Sequence, residues 1–389
     1  MKMNDAFLAS MREAMHLLQT AGPMEATEAI QRALREQASM GAVVAPASRA
    51  APMPAQVVER LLTDDRAPAR PADVASNTAN AAPPASSRAT HALRPDSKHA
   101  APHDVGHFSQ RTFVNQAGSR AYKLYVPAGR RAEPMPLVVM LHGCTQDADD
   151  FAAGTQMNAL ADKLGFMVLY PIQATENNPS KCWNWFRPGD QQAGKGEPSI
   201  IAGMAREVIA SHSIDARRVY IAGLSAGGAM AAVLIQRYPE LFAAAGVHSG
   251  LPAGSAHDLP SALGAMKGGK GIGRSRSGAV PPASTGRPMI VFHGDADHTV
   301  HPSNGDRLVA PFEQDRPRQQ TERRNVAGGH DYTRHRITTP AGVDAEYWIV
   351  HGAGHAWAGG SRQGSYTDPK GPDASAEMLR FFLAHPLPG

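Results

Sequence analysis

Residues Val219–Ala229 read VYIAGLSAGGA. The first six are apolar or small without a polar break, as a strand buried on both faces of a parallel sheet requires. The chain then passes without a loop into Ala226–Arg237, whose Ala, Met, Leu and Ile content predicts a helix. Between strand and helix stands Gly223-Leu224-Ser225-Ala226-Gly227, a Gly-x-Ser-x-Gly on a tight strand-to-helix turn that lifts the Ser225 hydroxyl above the sheet edge. The flanking glycines are needed because a Cβ at either place would crowd the turn. The new helix aims its N-terminal amides and the positive end of its dipole at the same point.

Working outward, LVVMLHG (137–143) and MIVFHG (289–294) are equally apolar. Strands are predicted at Phe108–Val114, Ala121–Val126, Leu137–His142, Met167–Tyr170, Val219–Leu224, Ala244–Ser249, Met289–Gly294 and Ala345–Val350. Helices are predicted at Thr155–Leu164, Ser199–Ser211, Ala226–Arg237 and Asp373–Ala384. An antiparallel start followed by strand–helix alternation gives an α/β sandwich, with a mostly parallel sheet of eight strands covered on both faces.

This domain occupies residues 108–389 of the 389-residue chain. Of 11 Phe, 8 Tyr and 4 Trp, Phe7 alone precedes Phe108. Residues 1–40 read as a short amphipathic helical segment, with Phe7, Met11, Met15 and Leu18 at helical spacing, Gly22-Pro23 as a break, and Ile30, Ala33 and Leu34 beyond it. Residues 41–107 are rich in Ala and Pro with no aromatic, the composition of an extended, disordered linker. Gly264–Gly286 reads as a solvated surface loop, with a lid over the site as the functional alternative.

Net charge is +4, from 39 basic and 35 acidic residues, too even to argue for nucleic acid. No apolar run approaches the ~18 residues of a membrane span. Asp5, Arg12 and Glu13 interrupt the first segment where a secretory signal would be apolar, so a cytoplasmic location is expected, with an extracellular one as the alternative. Two cysteines, Cys144 and Cys182, cannot make a four-ligand metal site, and two reduced thiols are expected, with pairing the alternative if the protein is exported. There is no H-E-x-x-H, no paired C-x-x-C, no phosphate loop and no dinucleotide fingerprint, so neither metal nor redox cofactor is implied.

A serine hydroxyl is a weak nucleophile at neutral pH and needs a base oriented by a carboxylate. With the elbow, the chain order is Ser, acid, His. Asp295 and Asp297 both follow the strand Met289–Gly294, and spacing favours Asp297 as the acid with Asp295 bracing the loop. His355 stands in the small-residue loop after the last strand and is the candidate base; His351, nearer the strand end, reads as structural. Two amides should hold a tetrahedral oxyanion: the N–H of Ala226, and that of Cys144 in the loop His142–Gln146. His142 reads as a buried brace. Trp183, Trp185 and Trp357 lie in loops near these elements and are candidate substrate contacts, with loop packing as the alternative.

With these residues in place, the stretch from about 108 to 385 resembles the polyhydroxybutyrate-depolymerase-type esterases, related to feruloyl and acetylxylan esterases. The likeness rests on LHGCTQDADDFAAGTQMNALADKLGFMVLYP, CWNWF, RVYIAGLSAGGAM, GVHSGL, FHGDADHTV, GAGHAWAGG and GSYTDPKGPDAS. It implies the α/β-hydrolase fold, with nucleophile, acid and base on Ser225, Asp297 and His355. In secreted relatives, cysteines placed like Cys144 and Cys182 would tie the CWNWF loop to the oxyanion loop. The expected reaction is hydrolysis of short hydroxyalkanoate esters or oligomers, with a feruloyl- or acetyl-type carbohydrate ester second. A rival of another class is a granule-surface binding protein whose N-terminal stripe does the work and whose hydrolase domain is vestigial.

Overall fold

The structure, a computed structural model, describes residues 106–129, 133–268 and 286–389. The chain divides into two units, Met1–Arg94 and Pro95–Gly389, and every described residue belongs to the second. The expected N-terminal helical segment, the Ala/Pro-rich linker up to residue 105 and most of the Gly264–Gly286 insertion lie outside the described residues.

In chain order the elements are β1 (His107–Asn115), β2 (Gly118–Val126), β3 (Met135–Leu141), α1 (Ala148–Thr155), α2 (Met157–Leu164), β4 (Met167–Pro171), α3 (Gly196–Ser211) and β5 (Ile214–Leu224). There follow α4 (Ala226–Arg237), β6 (Ala244–His248), α5 (Leu259–Met266), β7 (Met289–Gly294), α6 (Ser303–Val309), β8 (Arg318–Asn325), β9 (Asp331–Thr338), β10 (Asp344–Val350), β11 (Trp357–Ala358), β12 (Thr367–Asp368) and α7 (Ala374–Leu383).

Ten strands form one sheet in the order β1-β2-β4-β3-β5-β6-β7-β10-β9-β8, and β11 pairs with β12 apart from it. The run from β4 to β10 is parallel, and an antiparallel pair closes each edge. The α/β character follows the sequence, but the sheet has ten strands among the described residues where eight were expected. The two extra strands are the hairpin β8–β9. β8, RQQTERRN, is exposed along nearly its whole length and carries no apolar alternation to announce it.

The central strands alternate between two cores. Leu137, Val139 and Leu141 of β3 pack with Ile200, Ile201 and Met204 of α3 and Met230 and Val233 of α4. Val138 and Met140 pack on the opposite face with Phe151 of α1, Met157 of α2, and Met378, Phe381 and Phe382 of α7. Three layers result, as two apolar sheet faces demand. The helix expected at Thr155–Leu164 is α2, and α1, which ends where that span begins, is an additional helix. Asp147 caps α1 by accepting the N–H groups of Asp149 and Asp150, and Gln156, at φ 56°, turns the chain before α2.

Because β5, β6, β7 and β10 are parallel neighbours, the loops leaving their C-terminal ends gather at one sheet edge. Those loops carry Ser225, Ser249, Asp295–Asp297 and His351–His355.

Candidate active site

Ser225 links β5 to α4 at φ 57°, ψ −119°, a conformation rarely adopted outside glycine. Its N–H donates to His248 O at 2.9 Å, and its own carbonyl accepts from Ala229 N at 2.9 Å. Contact fixes the glycines. A Cβ on Gly227 would stand 2.1 Å from Leu141 O and 2.6 Å from His142 O, and one on Gly223 would stand 2.4 Å from the carbonyl carbon of Gly227. The elbow therefore seats α4 directly against the end of β3.

Asp297 is buried, and its two oxygens have separate tasks. Oδ1 accepts the N–H groups of Thr299 and Val300, both at 2.9 Å, and Oδ2 lies 2.7 Å from His355 Nδ1. Burial pushes this carboxyl up, but hydrogen bonds from His293 and His355, the His355 charge and the Val300 N–H together outweigh it and hold the group below the usual carboxylate range. His293 Nε2 donates to Val300 O at 2.8 Å and lies 3.5 Å from Asp297 Oδ2.

Asp295 is paired elsewhere. Its Oδ2 lies 2.8 Å from His351 Nδ1 and its Oδ1 accepts Gly352 N–H at 2.7 Å, while His351 Nε2 lies 2.8 Å from Thr333 Oγ1. Two acid–histidine bridges thus join the same pair of loops: an outer one, part-exposed, and an inner one in which His355 is 12% and Asp297 0% exposed at the side chain.

His248 lies under the inner bridge, fully enclosed and stacked between Phe292 and Trp357. Its Nε2 accepts Ala358 N–H at 2.9 Å, so the ring is neutral with its proton on Nδ1. Burial, reinforced by the charges of His293 and His355, lowers its pKa to about 3.

On the other side of the elbow runs the loop His142–Gln146. His142 Nε2 accepts Gln173 N–H at 3.1 Å, and its Nδ1 donates to Gly143 O at 2.8 Å. Burial brings the His142 pKa down to about 4 despite the hydrogen bond to Gly143, so the ring stays neutral. Gly143 N–H donates to Gln146 Oε1 at 2.9 Å. With its carbonyl held by His142, the Gly143–Cys144 peptide has a fixed direction, and the Cys144 N–H takes no hydrogen-bond partner among the described residues. The same holds for Ala226 N–H at the start of α4.

Cys144 and Cys182 are joined in a disulfide, which corrects the expectation of two reduced thiols. Thr145 N–H donates to Ser180 O at 2.7 Å, so a backbone hydrogen bond joins the same two loops beside the disulfide. The pairing is the alternative given for an exported protein, and it is the tie between the CWNWF loop and the oxyanion loop that the family resemblance implies.

The three tryptophans are a second correction. Trp183 and Trp357 are 0% and 1% exposed, and their indole N–H groups donate to His142 O and Ser375 Oγ. Trp185, 5% exposed, packs edge-on against Phe186. These rings form the floors of the loops, not a surface open to substrate. Beneath them sits a hub that sequence reasoning missed. Buried Glu197 accepts from Asn184 N, Asn184 Nδ2 and Gln173 Nε2, linking the CWNWF loop to the residue that orients His142. Burial and then the Asp190 charge raise its pKa. Its only sequence signal is an acid at the start of a helix.

A mostly parallel sheet with a serine on a strained strand-to-helix turn, and an acid–histidine bridge two strands away at the same edge, defines the α/β-hydrolase class. The chain belongs to the esterase PHB depolymerase family, whose model matches residues 120–319. That match contains Ser225 and Asp297 and ends before His355. The chain is 39% identical over 206 residues to poly(3-hydroxyalkanoate) depolymerase C of Paucimonas lemoignei, covering 51% of this chain and 49% of that protein. It is 34% identical over 200 residues to feruloyl esterase B of Neurospora crassa, covering 48% of this chain and 67% of that one. The chain spans about half the length of the first of these relatives. Among solved structures, an acetyl xylan esterase from Aspergillus awamori superposes with a TM-score of 0.50 at 21% identity, covering 70% of this chain and 98% of that one, a likeness of fold.

Proposed function

We propose that the chain is a serine carboxylic-ester hydrolase acting through an acyl-enzyme. The observation that carries this reading is the Asp297–His355 bridge at the sheet edge that also bears Ser225. Asp297, ionised and pinned by two backbone N–H groups, fixes the His355 proton on Nδ1 and leaves Nε2 free as a base. His355 takes the Ser225 proton as Oγ attacks the ester carbonyl, and Asp297 stabilises the imidazolium. The carbonyl oxygen becomes an oxyanion held by the N–H groups of Cys144 and Ala226, and collapse expels the alcohol with the proton from His355. Water, activated by the same histidine, then releases the acid and restores Ser225.

The proposed substrates are short hydroxyalkanoate esters or oligomers, favoured by the relative named a poly(3-hydroxyalkanoate) depolymerase. Feruloyl or acetyl esters of carbohydrate are the second reading, favoured by the likeness to feruloyl esterase B. The Cys144–Cys182 bond supports an oxidising compartment over the cytoplasm. No helix among the described residues is long and apolar enough to cross a membrane. Granule association through residues 1–40 would be an added property of a segment outside the described residues.

Hydrolysis of p-nitrophenyl esters of graded acyl length, 3-hydroxybutyrate oligomers, methyl ferulate and acetylated xylan tests the reading. Turnover by wild type and its loss in Ser225→Ala are expected, and the best substrate decides between the two ester classes. A wild type inert on the whole panel would overturn the proposal.

A further inference from the structure

With the three tryptophans buried, the large aromatic left most open to solvent among the described residues is Tyr366, 43% exposed. It stands in GSYTDPKGPDAS (364–375), a stretch to which the proposed chemistry gives no role. Its position is built. Tyr366 O accepts Trp357 N–H at 2.7 Å, two residues beyond His355, and its hydroxyl lies 3.2 Å from Thr145 Oγ1, one residue beyond Cys144. The ring therefore spans from the loop of the proposed base to the loop of the proposed oxyanion donor.

The segment is also rigid. Ser365 donates from its N–H and its hydroxyl to the Asp150 carboxylate, at 2.8 Å and 2.5 Å. Gln146 Nε2 bridges Asp150 Oδ2 and Ser365 O, at 2.8 Å and 3.1 Å, while Gln146 Oε1 holds Gly143 N–H. Tyr366 itself sits at φ 51°, a left-handed conformation that a bulky residue adopts only when its surroundings impose it. An exposed aromatic held against its backbone preference, with its own hydroxyl bonded to Thr145 and the preceding Ser365 bonded to Gln146 of the oxyanion loop and to Asp150 of α1, is poorly explained by burial.

We infer that Tyr366 is a specificity residue: its ring is a platform for the part of an ester substrate beyond the bond being cut, and it favours extended oligoesters over single-unit ones. The inference rests on the hydrolase reading above. A flat amphipathic ring tied to the loops of both the proposed base and the proposed oxyanion donor offers apolar contact to units laid across it, which a longer ester supplies and a one-unit ester lacks.

The test compares kcat and KM of wild type, Tyr366→Ala and Tyr366→Phe on p-nitrophenyl butyrate and on a 3-hydroxybutyrate trimer ester. In Tyr366→Ala the ratio of kcat/KM for trimer over butyrate is expected to fall about fivefold, chiefly through KM for the trimer. In Tyr366→Phe, which keeps the ring and loses the hydroxyl contact to Thr145, the ratio should stay within about twofold of wild type. Equal losses of kcat on both esters in both variants would show that Tyr366 acts through its hydroxyl on the oxyanion loop, and would overturn the inference. An unaltered ratio in Tyr366→Ala would overturn it too. A wild type that cleaves neither ester would instead overturn the hydrolase reading, and the platform with it.

Discussion

Replacing Asp297 by Asn, beside the same change at Asp295, separates the two acid–histidine bridges. In Asp297→Asn the amide oxygen can still accept the N–H groups of Thr299 and Val300, so the loop keeps its shape. The amide nitrogen must then face His355, where the carboxylate stood 2.7 Å from Nδ1. Two donors cannot meet, so the imidazole moves its proton to Nε2, the atom that must receive the Ser225 proton. Losing the correct tautomer and the charge that stabilises the imidazolium lowers kcat by about 10⁴, roughly 5.5 kcal/mol in barrier height. Asp295→Asn breaks a pair whose side chains are 41% and 30% exposed. Solvent screens that pair, so its loss costs at most about 1 kcal/mol of stability and changes kcat about threefold or less. The assay is steady-state hydrolysis of one p-nitrophenyl ester by both variants, with circular dichroism to verify folding. A folded Asp297→Asn enzyme retaining a tenth of wild-type kcat, or an inactive Asp295→Asn, would refute the assignment of roles.

Other perturbations reach further into the structure. In Gly227→Ala the new methyl meets Leu141 O at 2.1 Å, so α4 must leave β3; a fall in Tm of at least about 10 °C is expected, and an unaltered Tm would contradict the packing at the elbow. The Cys144→Ala/Cys182→Ala double variant loses a cross-link over a sequence separation of 38, worth about 4 kcal/mol by loop-closure entropy, read as a lower urea midpoint; an unchanged midpoint would contradict this. Acid should destabilise the fold well above carboxylate pKa values. His142 and His248, at about 4 and about 3 in the folded state, titrate in the unfolded chain near 6.5, so the unfolded state binds more protons below that pH. Stability is full above pH ~6.5 and declines by about 3 kcal/mol per histidine by pH 4. Urea melts at pH 7, 5.5 and 4.5 measure this, and a flat profile would show that these rings are not held neutral.

How legible this was in the sequence differs from residue to residue, and the differences have physical causes. The central strands and α4 announced themselves because burial on both faces admits only apolar residues, and Ala226–Arg237 was located to the residue. The hairpin β8–β9 was silent because it is held by edge pairing with β10 and not by apolar alternation. Spacing could rank Asp297 over Asp295 but could not show that each has its own histidine, which depends on how two distant loops meet. The tryptophans misled for the same reason. A loop aromatic near a site is either floor or wall, and only the fold reveals which, whereas Tyr366 lay within a recognisable motif but had no sequence signal of exposure.

The most direct measurement of the central claim is covalent trapping of the nucleophile. The whole 389-residue chain is treated with an alkyl fluorophosphonate, digested and mapped by mass spectrometry. A single phosphonyl adduct on Ser225, formed in wild type, absent in Ser225→Ala and strongly slowed in Asp297→Asn, is the predicted result. An adduct on another residue, or ester turnover that survives Ser225→Ala, would contradict the account.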